Sequence, residues 1–148
     1  MKNYSVDLDI AKELKDNGFP QKSFNEWVYV KALSNNKKGY TYIWNFGRAL
    51  HEKVKKTISA PISDEILKEL PKKIHFNNYL LNVEIKSELR QGAPKSGNIE
   101  EFWEIFYDIT YRCYYHGDSF FNNEIINDKK LSNALAKTWL YLKKNGYL

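Results

Sequence analysis

The 148-residue sequence contains a single cysteine, Cys113. One thiol excludes an internal disulfide and a cysteine-built structural zinc site. No run approaches the roughly 20 apolar residues that a membrane-spanning helix needs. The first residues, MKNYSVDLDIAKELK, hold no apolar signal core, and acids enter by Asp7 and Asp9; the expectation is a cytoplasmic protein. A basic stripe is missing too. The formal net charge is +5, yet the cations come as scattered pairs such as Lys37-Lys38, Lys55-Lys56 and Lys143-Lys144, with acids between them. A dedicated nucleic-acid face gathers its charge on one element.

What the chain has in quantity is aromatic side chains: 11 Tyr, 8 Phe and 4 Trp. Most fall in strand-like runs, which favours core and sheet positions, although aromatics also stack on bases and anchor interfaces. With 43% hydrophobic and 28% charged residues, the composition is that of a globular domain. With neither repeat nor linker, one domain over 1–148 is expected.

The punctuation is legible. Val6, Ile10 and Leu14 recur at helical spacing over 6–17, with Ser5 or Asp7 as cap and Gly18 suited to the left-handed residue after the end. EWVYVKAL (26–33) and YTYIWNF (40–46) predict a hairpin across the polar turn SNNKKG. GRALHEKVKK (47–56) reads as a short helix. In SAPISDEILKELP, Ser63 fits an N-cap, Asp64 and Glu65 suit the positive helix end, and Pro71 stops the helix at Leu70. KKIHF then starts a strand. Leu81, Val83 and Ile85 alternate with Asn82, Glu84 and Lys86 through YLLNVEIKS. EEFWEIFYDITYRCYY (100–115) is a second alternating strand, with Trp103, Ile105, Tyr107, Ile109, Tyr111 and Cys113 on its core side. RQGAPKSGN (90–98) and HGDSFFNNEIIND (116–128) read as loops. Asp128 can cap a last helix carrying Leu131, Leu135, Trp139 and Leu142, ended by Gly146. The expected class is α+β: a single antiparallel or mixed sheet with helices packed on one face.

Taken together, IAKELKDNGF, SAPISDEILKELP, the strands on either side of RQGAPKSGN and the Leu/Ala-rich closing helix resemble a group of small proteins encoded by bacteriophages and prophages. There an AKxLKExGF helix, an SAP segment with a short helix, two strands and a final helix recur in this order. The likeness covers about half the chain, and region 26–57 is less alike. It implies a phage or prophage accessory role and carries no catalytic residue to transfer.

Candidate sites are sparse. Tyr40, Tyr42 and Trp44 alternate on one strand, with Trp27 and Tyr29 across the hairpin and Lys37, Lys38, Arg48 and Lys55 nearby. Such a face can stack bases or anchor a protein, and its simpler reading is core. Arg90 and Lys95 in the 90–98 loop suit an anion, though neither phosphate-loop fingerprint is present. His116 and Asp118 flank a glycine; this His-x-Asp pair reads first as turn chemistry. Cys113 reads as a small core hydrophobe. Glu100, Glu101, Glu104 and Asp108 read as a solvated strand face with cross-strand ion pairs. No catalytic residue, metal site or cofactor is assigned. The expectation is a non-enzymatic protein that binds a host macromolecule, a host protein first, and acts by occlusion through the aromatic and basic sheet face or the 90–98 loop, with inhibition of a host system as one purpose this would serve. The alternatives are a nucleic-acid binder on the same face, and a small-nucleotide binder or enzyme using His116 and the 90–98 loop.

Overall fold

A computed structural model describes residues 4–23, 25–31, 38–44, 57–76, 79–91, 103–112 and 126–148. Within these described residues, three helices and seven strands follow in the order α1 (Leu8–Asp16), β1 (Asn25–Lys31), β2 (Lys38–Trp44), β3 (Thr57–Ser59), α2 (Ser63–Glu69), β4 (Lys73–Phe76), β5 (Tyr79–Gln91), β6 (Trp103–Arg112), β7 (Ile126–Asp128) and α3 (Leu131–Lys144). The class is α+β, as expected. The strands form two antiparallel sheets rather than one: β2-β1-β3 and β4-β5-β6-β7.

The helix ends follow their sequence signals closely. Gly18 has φ +85 and Gly146 φ +76. After α1, Gly18 N–H donates to Lys15 C=O and Phe19 N–H to Leu14 C=O. After α3, Gly146 and Tyr147 repeat the pattern on Lys143 and Leu142. Both are Schellman caps, where only glycine enters the left-handed region without strain. Phe19 folds back into the core and meets Trp139 edge-on at 5.1 Å.

The N-termini depart from expectation. Asp7 is the N-cap of α1, and its C=O accepts from the Ala11 N–H, but its side chain makes no bond to that helix. Its carboxylate accepts instead from Lys130 Nζ at 2.6 Å and Asn133 Nδ2 at 2.8 Å, while its own N–H donates to Asn133 Oδ1 at 3.0 Å. Ile62, not Ser63, caps α2. Isoleucine has no acceptor, so only the reverse half of a capping box forms: Glu65 Oε2 takes the Ile62 N–H at 2.9 Å. The same oxygen accepts from Ser23 Oγ at 2.7 Å, tying α2 to the segment before β1. Leu70, ahead of Pro71, is extended at φ -81, ψ 132, as proline requires of its predecessor.

One buried cluster links the two sheets through the helices. Trp27 and Ile58 come from the first sheet, and Ile74, Leu81, Ile109 and Tyr111 from the second. Leu14 supplies α1, Ile66 α2, and Leu135, Trp139 and Leu142 supply α3. Tyr111 is fully enclosed, and its hydroxyl donates to Pro71 C=O at 2.6 Å. Burial pushes its phenol well above the ordinary value.

Three boundaries differ from the sequence reading. β3 and β7 are three-residue edge strands in stretches that read as connection and loop. β5 runs through Gln91, so Arg90 is a strand residue rather than the start of a loop. The 47–56 helix assignment lies outside the described residues.

Candidate functional site

The hairpin register pairs Trp27 with Tyr42, Tyr29 with Tyr40 and Asn25 with Trp44, so the aromatic positions do come together. Trp27 nevertheless belongs to the core. It is 7% exposed, and its indole N–H donates to Val6 C=O at 3.2 Å. Buried tryptophan needs such a partner for its only polar atom. Trp27 is therefore withdrawn from the binding face. The side chains of Tyr29, Tyr40, Tyr42 and Trp44 lie outside the described residues, as do Arg48, Lys95, Cys113 and His116. Among the described residues, no group of three or more His, Cys, Asp or Glu is placed to hold a metal.

Arg90 has a defined role that is not the expected one. Its Cα partner is Glu104. The side chain instead runs along the neighbouring strand, its guanidinium 5.0 Å from the Phe106 ring centre. It ends on Asp108, with bonds of 2.9 and 2.7 Å to the two carboxylate oxygens. Asp108 is 8% exposed. A carboxylate held out of water needs a charged partner, and the single guanidinium nitrogen Nη2 reaches both oxygens. Glu88 adds a third contact at 3.3 Å. Arg90 is thus a sheet clamp, and the acidic stretch of β6 supplies its ion pair.

Alternation puts Lys73, Glu84, Lys86, Glu88, Arg90, Phe106 and Asp108 on this one face of the second sheet. Three of these residues are basic and three acidic. Lys86 reaches Glu84 at 3.7 Å, and Arg90 takes Glu88 and Asp108. Such a face presents little net positive field to a phosphate backbone.

The opposite face divides along its length. At one end Leu81, Ile109 and Tyr111 are buried in the core, and Thr138, Tyr141 and Leu142 of α3 close over Ile109–Tyr111. Further out, Leu89 pairs with Ile105 and Ile85 with Ile109 in the ladder. There Ile85 is 40%, Leu89 65% and Ile105 50% exposed. The sequence reading assigned Ile85 and Ile105 to the covered side; here that side is open. The reason is reach. Thirteen strand residues span about 43 Å, and fourteen helical residues about 21 Å. One helix covers only part of the ribbon, and the apolar alternation runs on past it. This uncovered ridge of Ile85, Leu89 and Ile105 was missed, although comparing element lengths in the sequence could have found it.

Two clefts are lined by described residues. An open one of about 460 Å³ lies beside the α3 N-terminus, lined by Asp7, Phe106, Asp128, Lys130, Asn133 and Lys137 among others. Asp128 accepts from the Lys130 N–H at 2.9 Å and from Lys137 Nζ at 2.7 Å. With Asp7 held by Lys130 and Asn133, these charges form a clasp between the two ends of the chain. The second, about 230 Å³, lies between the turn after α1 and helix α2, where Glu65 is already bonded.

The fold and its open ridge define an α+β protein with an exposed apolar ridge on the β5–β6 arm. Comparison of the chain with family models, curated proteins and solved structures finds no match. Among the described residues, no helix is long and apolar enough to cross a membrane.

Proposed function

We propose that this chain is a phage or prophage accessory protein that works without catalysis, by seating the β5–β6 arm against a host protein in the bacterial cytoplasm and occluding it. One observation carries the reading: Leu89 and Ile105, paired on adjacent strands and joined by Ile85, extend the core's apolar face into solvent on a hydrogen-bonded strand pair. Contiguous exposed apolar surface of this kind marks interaction sites, and a preformed strand pair loses little entropy on docking. The occupant is a protein surface offering apolar side chains. The opposite face supports protein over nucleic acid, because its Lys86 and Arg90 are already ion-paired within the sheet.

The test is affinity capture from a bacterial lysate with the wild-type chain and the Leu89→Glu/Ile105→Glu variant side by side, with and without nuclease. A protein retained by the wild type, lost by the variant and indifferent to nuclease supports the reading. Recovery of nucleic acid, with binding that falls steeply and log-linearly with salt, overturns it in favour of the nucleic-acid alternative. Equal retention by both chains removes the ridge as the site.

A further inference from the structure

The β5–β6 arm has a second property, which does not depend on what the ridge binds. β4 pairs with β5 only from Tyr79 to Asn82, and Val83 N–H adds one bond to Lys72 C=O at 3.2 Å. Among the described residues, no strand pairs with the outer edge of β5 from Ile85 to Gln91. Residues 85–89 are all exposed, on both faces of the strand. An open edge of this length is a template for another strand.

Its backbone phase is fixed. Val83 points its N–H toward the β4 side, and the β5–β6 register runs without a bulge from Asn82 to Gln91. In an unbroken strand alternate residues direct N–H and C=O to the same side. Ile85, Ser87 and Leu89 therefore present their backbone groups outward.

We infer that this edge pairs with the same edge of a second copy of the chain, antiparallel, about a two-fold axis at Ser87. The segment reads Glu84-Ile85-Lys86-Ser87-Glu88-Leu89-Arg90. Centred on Ser87, it sets Lys86 against the partner's Glu88, Ile85 against the partner's Leu89 and Glu84 against the partner's Arg90. Every charged position then meets the opposite charge, and every apolar position meets an apolar one. Ser87 and the Ile85–Leu89 pairs are also the positions whose backbone groups face outward, giving about six interchain backbone bonds.

The neighbouring registers fail. Centring on Lys86 sets Lys86 against Lys86 and Glu84 against Glu88. Centring on Glu88 sets Glu88 against Glu88 and Lys86 against Arg90. Like charges directly opposite are destabilising, so the pattern favours the Ser87 register over both neighbours, and that register is self-complementary, as a closed two-fold interface requires. Pairing also brings Ile85 of each copy beside Leu89 and Ile105 of the other, on the same face. The two ridges merge into one larger apolar platform.

The experiment measures mass against concentration by sedimentation equilibrium for the wild type, Lys86→Glu, Glu88→Lys and an equimolar mixture of the two variants. The wild type is expected to dimerise. Each variant alone places two like-charge pairs across the axis and weakens the dimer about tenfold or more. The mixture restores it as a heterodimer. One chain is then acidic at both positions 86 and 88 and the other basic at both, so each cross-axis pair again joins opposite charges. The intrachain pairs lost in each variant are surface pairs that contribute little to folding, and the mixture's recovery excludes unfolding as the cause. Ser87→Pro gives an independent check. It deletes an outward N–H that the monomer does not use, so dimerisation is lost while the circular dichroism spectrum is kept. A wild type monomeric at several hundred micromolar overturns the inference. So does a dimer indifferent to the charge variants, or a mixture that stays monomeric. Since Leu89 and Ile105 are untouched in these chains, loss of the dimer and loss of the ridge's partner are separately visible.

Discussion

Replacing Leu81 and Leu89 in turn by alanine tests whether one strand carries both a covered and an uncovered segment. Both are leucines on the same side of β5, so the change in intrinsic strand preference is nearly common to both. Leu81 is 0% exposed. Its truncation loses the transfer free energy of the deleted carbons and leaves a cavity in the core, together about 3 kcal/mol. Leu89 is 65% exposed. Only about a third of its side-chain surface is out of water, which limits the loss to about 0.5 kcal/mol. The expected difference is therefore about 2.5 kcal/mol. At a urea slope of about 2 kcal/mol per molar, the two midpoints should separate by roughly 1 M. Equilibrium urea unfolding by circular dichroism, with slopes compared, reads this directly. Midpoints within about 0.3 M of each other would refute the reasoning, since they would mean that Leu89 is as covered as Leu81.

Arg90→Ala strands the enclosed Asp108 carboxylate and should lower stability by about 2 kcal/mol, less than a fully buried pair would because Arg90 is a third exposed. Combining it with Asp108→Asn should recover part of that loss in a double-mutant cycle, whereas strict additivity would show that the two side chains do not interact. Tyr111 gives stability a defined alkaline limit. Its folded-state pKa lies above the unfolded value, so as pH rises through about 10 the unfolded chain ionises first. Its contribution is complete below that pH and declines above it. Tyr111→Phe should cost about 1 kcal/mol at neutral pH, through the lost bond to Pro71. It should also shallow the alkaline decline, and an unchanged slope from about pH 9 to 11 in urea titrations would count against the assignment. Gly18→Ala should cost about 1 kcal/mol by thermal denaturation from the positive φ alone, because no atom lies within 4 Å of the added Cβ; a neutral result would remove the strain argument.

What the sequence makes legible here is punctuation and alternation. Gly18, Gly146 and Pro71 end helices by constraints that act within a few residues, and tertiary context does not override them. The alternation through 81–85 and 103–111 correctly yields two neighbouring strands with Leu81, Ile109 and Tyr111 in the core. The division into two sheets is not local, since it depends on which edge the three residues of β3 join. Segments as short as β3 and β7 carry no measurable period. The same limit affects the caps. Asp7 and Asn133 are 126 positions apart, and nothing near Asp7 announces that its carboxylate serves α3 rather than α1. The aromatic hairpin misled at Trp27 because alternation identifies a face without saying what covers it. The ridge was hidden for the converse reason: a period-two pattern marks an apolar side and is silent about how far along it the covering helix extends.

The central claim is that the uncovered apolar side of the β5–β6 arm, and not its charged side, meets the partner. Methyl cross-saturation from the captured partner onto isotope-labelled protein measures this most directly. The account predicts strong attenuation at Ile85, Leu89 and Ile105, with Leu81 and Ile109 unaffected. Unattenuated ridge methyls, with amide attenuation centred on Lys86, Glu88 and Arg90 of the opposite face, would contradict it.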